Sequence, residues 1–65
     1  MNINLTDLRV SDFVLVKRTV NETHVGRIDA IHSDIKGGMP GIDYTTYADQ
    51  KKWWCYLDQV IEILK

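Results

Sequence analysis

At 65 residues the chain encodes one small domain, and chains of this size bury only about 60% of their unfolded surface. A single cysteine excludes an internal disulfide, and no Cys/His cluster has zinc spacing, so a compact aromatic core or self-association must supply the stability. The formal net charge is −1 with both signs scattered, which argues against the clustered basic footprint of a nucleic-acid binder.

In chain order, Met1–Asp7 shows no basic stretch followed by an apolar run, so no secretory signal is expected. No apolar run anywhere approaches the roughly 20 residues of a membrane span. The expectation is a cytoplasmic protein with a free thiol. Leu5–Val10 is a lead-in, either one helical turn or an irregular edge segment, punctuated by Ser11-Asp12. Phe13–Arg18 is the first strand, β-branched and aromatic with charge at its end. After a turn at Asn21-Glu22, residues Thr23–His32 form the second. Strict alternation would put Ile28 and Ile31 on opposite faces, so a bulge or sharp bend between them is expected to return both to the core. Gly26 permits close strand approach or a kink.

Ser33–Ile42, with Gly37, Gly38, Met39, Pro40 and Gly41, reads as a loop. Tyr44–Tyr47 is the third strand, and Trp53–Leu57 the fourth after a turn at Ala48–Lys52. Asp58-Gln59-Val60 reads as one 3₁₀ turn, and Ile61–Leu64 as the fifth strand. With no sustained helical period and connections too short for crossover helices, five antiparallel strands in an all-β small barrel are predicted.

Within the fourth strand the side chains alternate, with Trp53, Cys55 and Leu57 on one face and Trp54 and Tyr56 on the other. The first set is assigned to the core, where Cys55 is an inert buried thiol. The second set is left outside. Strands three and four should be hairpin neighbours, so Tyr44 and Tyr47 are expected to join Trp54 and Tyr56 in an outward aromatic cluster, with Asp43 as a nearby carboxylate. Trp and Tyr dominate interface hot spots, and a ring cluster beside a carboxylate could also cage a cation. His24 and His32 flank the second strand rather than converge, so no metal or cofactor is assigned.

Several stretches resemble the SH3-like small barrels, a superfamily that includes Tudor and KOW-type modules. Val10-Ser11-Asp12-Phe13-Val14-Leu15-Val16 is similar to their "VGDxVxV" opening, with Ser11 in the place of the usual glycine. Gly26–Ile31 is similar to their second strand, and Tyr56–Ile63 to the strand, 3₁₀ turn and strand that end the barrel. Trp53-Trp54 resembles the tandem tryptophan of true SH3 domains but lies closer to the 3₁₀ turn, and no "ALYDY"-type motif is present. Proline-rich peptide binding is therefore not carried over. The resemblance implies a five-stranded antiparallel SH3-like barrel with a 3₁₀ turn before the last strand.

The leading functional expectation is a non-enzymatic module that binds another protein, or itself as a homodimer, through Trp54, Tyr56, Tyr44, Tyr47 and Asp43, with the Ser33–Ile42 loop as an adaptable rim. Its small, mildly acidic format suits an accessory or inhibitor protein of a phage or mobile element. The alternative is a nucleic-acid-binding barrel in which Lys17, Arg18, Arg27, Lys51 and Lys52 contact phosphates while aromatics stack on bases. The lesser alternative is an oligomeric small-barrel enzyme. In size and ending the chain resembles the type II trimethoprim-resistant dihydrofolate reductases, but their "VQIY" motif is absent.

Overall fold

The computed structural model describes residues 3–64. Five strands, β1 (Phe13–Thr19), β2 (Glu22–Lys36), β3 (Met39–Thr46), β4 (Lys52–Tyr56) and β5 (Val60–Leu64), form one antiparallel sheet in the order β4-β3-β2-β1-β5. Two 3₁₀ turns, Leu5–Asp7 and Leu57–Gln59, precede β1 and β5. The second begins one residue earlier than the sequence suggests. β4 and β5 are the margins of the sheet, and among the described residues no ladder joins them, so strand pairing leaves the sheet open. No helix among these residues is long and apolar enough to cross a membrane.

The alternation in β1 sets the sides of the sheet. Val14 and Val16 are fully buried, whereas Phe13 and Lys17 face out. Ile28 of β2, Ile42 and Tyr44 of β3, Cys55 of β4 and Val60 of β5 share the interior with them. Leu8, just after the first 3₁₀ turn, completes this core, and Leu5, Ile31, Trp53 and Leu57 pack against it. Each buried aliphatic side chain contributes about 1.5–3 kcal/mol, the main stabilisation open to a chain without staples.

The long β2 is bent as the Ile28/Ile31 spacing requires. Its register with β3 shifts between Ile28, opposite Tyr44, and Ala30, opposite Asp43. Asp29 is the extra residue of that bulge, and Ile31 returns to the core side. Gly26 serves close approach: a Cβ there would collide with the Tyr44 ring.

The expected Ser33–Ile42 loop is instead a hairpin. β2 runs to Lys36 and β3 starts at Met39, leaving Gly37-Gly38 as a two-residue turn with φ of 61° and 79°. Two consecutive positive φ values suit a tight hairpin turn and favour glycine. Asp34 Oδ1 accepts the Gly38 N–H at 2.8 Å and fixes the turn. Pro40 is tolerated near the start of the strand, where a missing donor costs least.

Ser11 also has a positive φ, 81°. It lies at the position where the barrel opening it resembles carries glycine. Its N–H donates to Ile28 O at 2.8 Å, and Ile28 N–H donates to Asp12 O at 2.9 Å, so this strained residue locks the entry of β1 onto β2.

Candidate functional site

Trp54 and Tyr56 occupy the outer face of β4. Trp54 is 40% exposed and Tyr56 half-buried, whereas the intervening Cys55 is buried. Their rings meet edge to face, with centroids 5.2 Å apart, a favoured aromatic geometry. Asp43 of β3 lies directly across from Trp54. Its Oδ2 accepts from His32 Nε2 at 2.9 Å, which assigns that ring proton to Nε2. Lys36, near the end of β2, places Nζ 5.8 Å from the Trp54 ring centroid, within cation–π range. The site is therefore an aromatic pair with a cation on one ring and a hydrogen-bonded carboxylate beside it.

The backbone under this pair is held from behind. Arg18 Nη1 donates to Trp54 O at 2.8 Å, and its guanidinium carbon lies 4.8 Å from the Trp53 ring centroid. Tyr56 N–H donates to Gln59 Oε1 at 2.9 Å, and Gln59 Nε2 reaches Arg18 O at 3.5 Å. Arg18 and Gln59 thus occupy polar groups on the free side of β4 that a marginal strand would otherwise offer to another chain.

Tyr44 does not belong to the outward cluster. It is fully buried, because β3 points Ile42, Tyr44 and Thr46 inward in alternation. Its hydroxyl lies 2.9 Å from His24 Nδ1, and His24 Nε2 lies 2.9 Å from Glu22 Oε2. The carboxylate can only accept, so Nε2 carries the proton, and in the neutral ring Nδ1 accepts from the Tyr44 hydroxyl. Burial pushes the Tyr44 hydroxyl above its ordinary value of 10.0, and the nearby Arg18 opposes that shift. Trp53 packs against His24 with the ring planes tilted by 57° and centroids 4.9 Å apart. Its buried Nε1 has no hydrogen-bond partner among the described residues.

Tyr47 is exposed, as expected, but it belongs to a different neighbourhood. Its N–H donates to Val25 O at 2.8 Å, and its ring meets the edge of Phe13 with centroids 6.1 Å apart. Of the five residues assigned to the aromatic cluster, the fold brings together Trp54, Tyr56 and Asp43. Tyr44 is turned into the core and Tyr47 onto the β1–β2 side.

The five basic candidates do not form one patch. Arg27, Thr45 and Lys52 are consecutive cross-strand partners, so Arg27 and Lys52 share one outward row. Lys17 lies on β1 opposite Thr23, and Lys51 belongs to the turn before β4. Arg18 is half-buried and committed to Trp53 and Trp54. As for a nucleophile, burial pushes the Cys55 thiol up to about 12 despite Arg18, which holds it protonated and unreactive.

Beside Tyr56 an open groove of about 350 Å³ runs past Met39, Pro40, Leu57 and Asp58. Met39 is 48% exposed. The sequence places Lys36, Met39 and Pro40 in an adaptable loop at the rim of the site and gives His32 no site role, whereas the hairpin carries Lys36 and Met39 into register on paired strands. The Gly37-Gly38 pair was the available signal for that turn. Comparison with protein-family models, with curated proteins and with solved structures finds no match to this chain.

Proposed function

We propose that this chain is a non-enzymatic binding module of the SH3-like small-barrel kind that engages another protein through Trp54, Tyr56 and the adjoining groove. The barrel reading draws support from the meander order with β5 beside β1, from the 3₁₀ turn before β5, and from the positive φ of Ser11 at the glycine-like position. Arg18 and Gln59 span the seam between β1 and β4 with side chains where no ladder does.

The observation that carries the functional reading is the 40% exposure of Trp54, a ring kept outward while its backbone carbonyl is anchored by Arg18. A large ring held on a rigid strand loses little conformational entropy on binding, which is why such residues act as anchors. The groove beside Tyr56 offers apolar lining from Met39, Pro40 and Leu57 with Asp58 at its rim, the mixture of apolar centre and polar margin that protein interfaces use.

The test is affinity capture with the full chain, repeated with Trp54→Ala after circular dichroism has verified its fold. Loss of a hot-spot ring weakens a complex by about 30-fold or more. A partner captured equally well by both proteins would sink the proposal. A complex that weakens steeply with salt, and that requires Arg27 and Lys52 rather than Trp54, would point to nucleic acid instead.

A further inference from the structure

The outer face of β5, β1 and the first half of β2 is apolar where a solvated antiparallel sheet carries polar residues. Cross-strand register puts Leu64, Phe13 and Arg27 in one outward row and Glu62, Leu15 and Val25 in the next. Phe13 is 39% and Val25 41% exposed. Tyr47, 67% exposed, is tied to the margin of this face by its bond to Val25 O. Phe13, Val25, Tyr47 and Leu64 line one shallow open depression.

The charges on this face are arranged across it. Glu62 stands on the β5 side, Arg27 on the β2 side, and both are exposed. Neither has an ion-pair partner among the described residues. A face that is apolar in the middle, acidic on one flank and basic on the other is complementary to itself.

We infer that a second copy of this chain covers this face, forming a two-fold symmetric dimer with its axis along β1. Such an axis lays β5 of one protomer over β2 of its partner and stacks Phe13 on Phe13 and Leu15 on Leu15, with the two exposed Lys17 side chains at the end of the contact, where their ammonium groups extend into water. An isologous contact makes every pairing twice. Glu62 and Arg27 differ by one row, about 7 Å along the strands, a gap that an arginine side chain spans. The dimer then gains two symmetry-related Glu62–Arg27 contacts at the rim of an apolar centre. The dimer also supplies the buried area that a domain this small lacks. This inference is independent of the Trp54 site, which lies on the other part of the outer surface.

Sedimentation equilibrium over a concentration series tests it. The full chain should reach twice its 7.5 kDa mass. Val25→Glu, which buries an unpaired charge in the contact, should weaken association by about 100-fold. E62R and R27E should each weaken it by about 10-fold, and the double swap should restore it to within about threefold. If Val25→Glu fails to fold, the two surface charge variants and their double swap decide alone. A chain that stays monomeric to about 1 mM, well beyond the range of specific homodimers, would overturn the inference. So would a dimer indifferent to the charge variants, or one abolished by Trp54→Ala alone.

Discussion

The outer surface carries two aromatic neighbourhoods that differ in kind. Trp54 is surrounded by polar companions: Lys36 over the indole, Asp43 across the strand with His32 bound to it, and Arg18 on the carbonyl beneath. Around Phe13 the companions are apolar, Leu15, Val25, Tyr47 and Leu64, and the charges of Arg27 and Glu62 stand at the sides. The first arrangement orients a ring and rewards a partner that matches both its shape and its charges. The second rewards buried apolar area, with the opposite charges of Glu62 and Arg27 at its flanks, which suits a symmetric contact. On the outer surface Thr45 and Lys52 lie between the two.

The two neighbourhoods are most readily told apart at Trp53 and Trp54, adjacent residues on opposite sides of β4. Trp53 packs on the core beneath Arg18 and beside His24. Trp53→Ala should cost about 3–5 kcal/mol, comparable to the whole stability of a chain this short, about 3–10 kcal/mol. Trp54→Ala should cost about 1 kcal/mol or less and leave the fold intact. Urea denaturation followed by circular dichroism measures both. Equal losses at the two positions would mean that Trp54 is a structural ring and that the first neighbourhood is no site.

How far the sequence foretold this arrangement depends on whether a local period or a distant contact decided each position. Alternation through Trp53–Tyr56 and the Ile28/Ile31 mismatch were local, and they correctly foretold the phase of β4 and the bulge at Asp29. Tyr44 was misread because two tyrosines three residues apart cannot share a face of one strand. The choice between them rests on the space left by Gly26 on the neighbouring strand, although the inward phase of Ile42, Tyr44 and Thr46 offered a hint. The hairpin at Gly37-Gly38 was masked by Met-Pro-Gly, which reads as a breaker until pairing with β2 and β4 is known. The apolar face around Phe13 is hidden in the sequence for a similar reason. Leu15 and Val25 look like core residues until the register shows that Val14, Val16 and Ile28 have filled the core.

Stability can be changed without touching either neighbourhood, at Ser11. Ser11→Gly removes the cost of a left-handed residue, about 1 kcal/mol, while keeping the N–H that donates to Ile28 O. The melting temperature should rise by about 4–8 °C for a domain of this size. Partner capture and self-association should stay as they were, because Ser11 belongs to neither surface. If either changed along with the melting temperature, the effects of Trp54→Ala and Val25→Glu would have to be read as consequences of stability.

The smallest expected effect lies in the turn that joins the two neighbourhoods. Residues 47–51 lead from Tyr47 on the Phe13 side to Lys52 and Trp54 on the other. Asp49 Oδ1 accepts from Thr46 Oγ1 and from Lys51 N–H, and Thr46 Oγ1 also lies 3.1 Å from Lys51 N. The Thr46 hydroxyl, the largest cause, holds the Asp49 carboxyl below its ordinary value of 3.8. A depressed folded-state value means that the ionised carboxylate favours the folded turn. That contribution is complete above the unfolded value and is lost as pH falls through the folded one. Asp49 is exposed to solvent, so the stability change is small, and the sensitive readout is the position of Tyr47. Nuclear magnetic resonance of the Tyr47 ring against pH should show it leaving the Phe13 edge below about pH 3.8, the ordinary carboxylate value. In Asp49→Asn the same signal should be flat with pH. A pH response retained in that variant would place the acid sensitivity elsewhere and separate the turn from the two surfaces it connects.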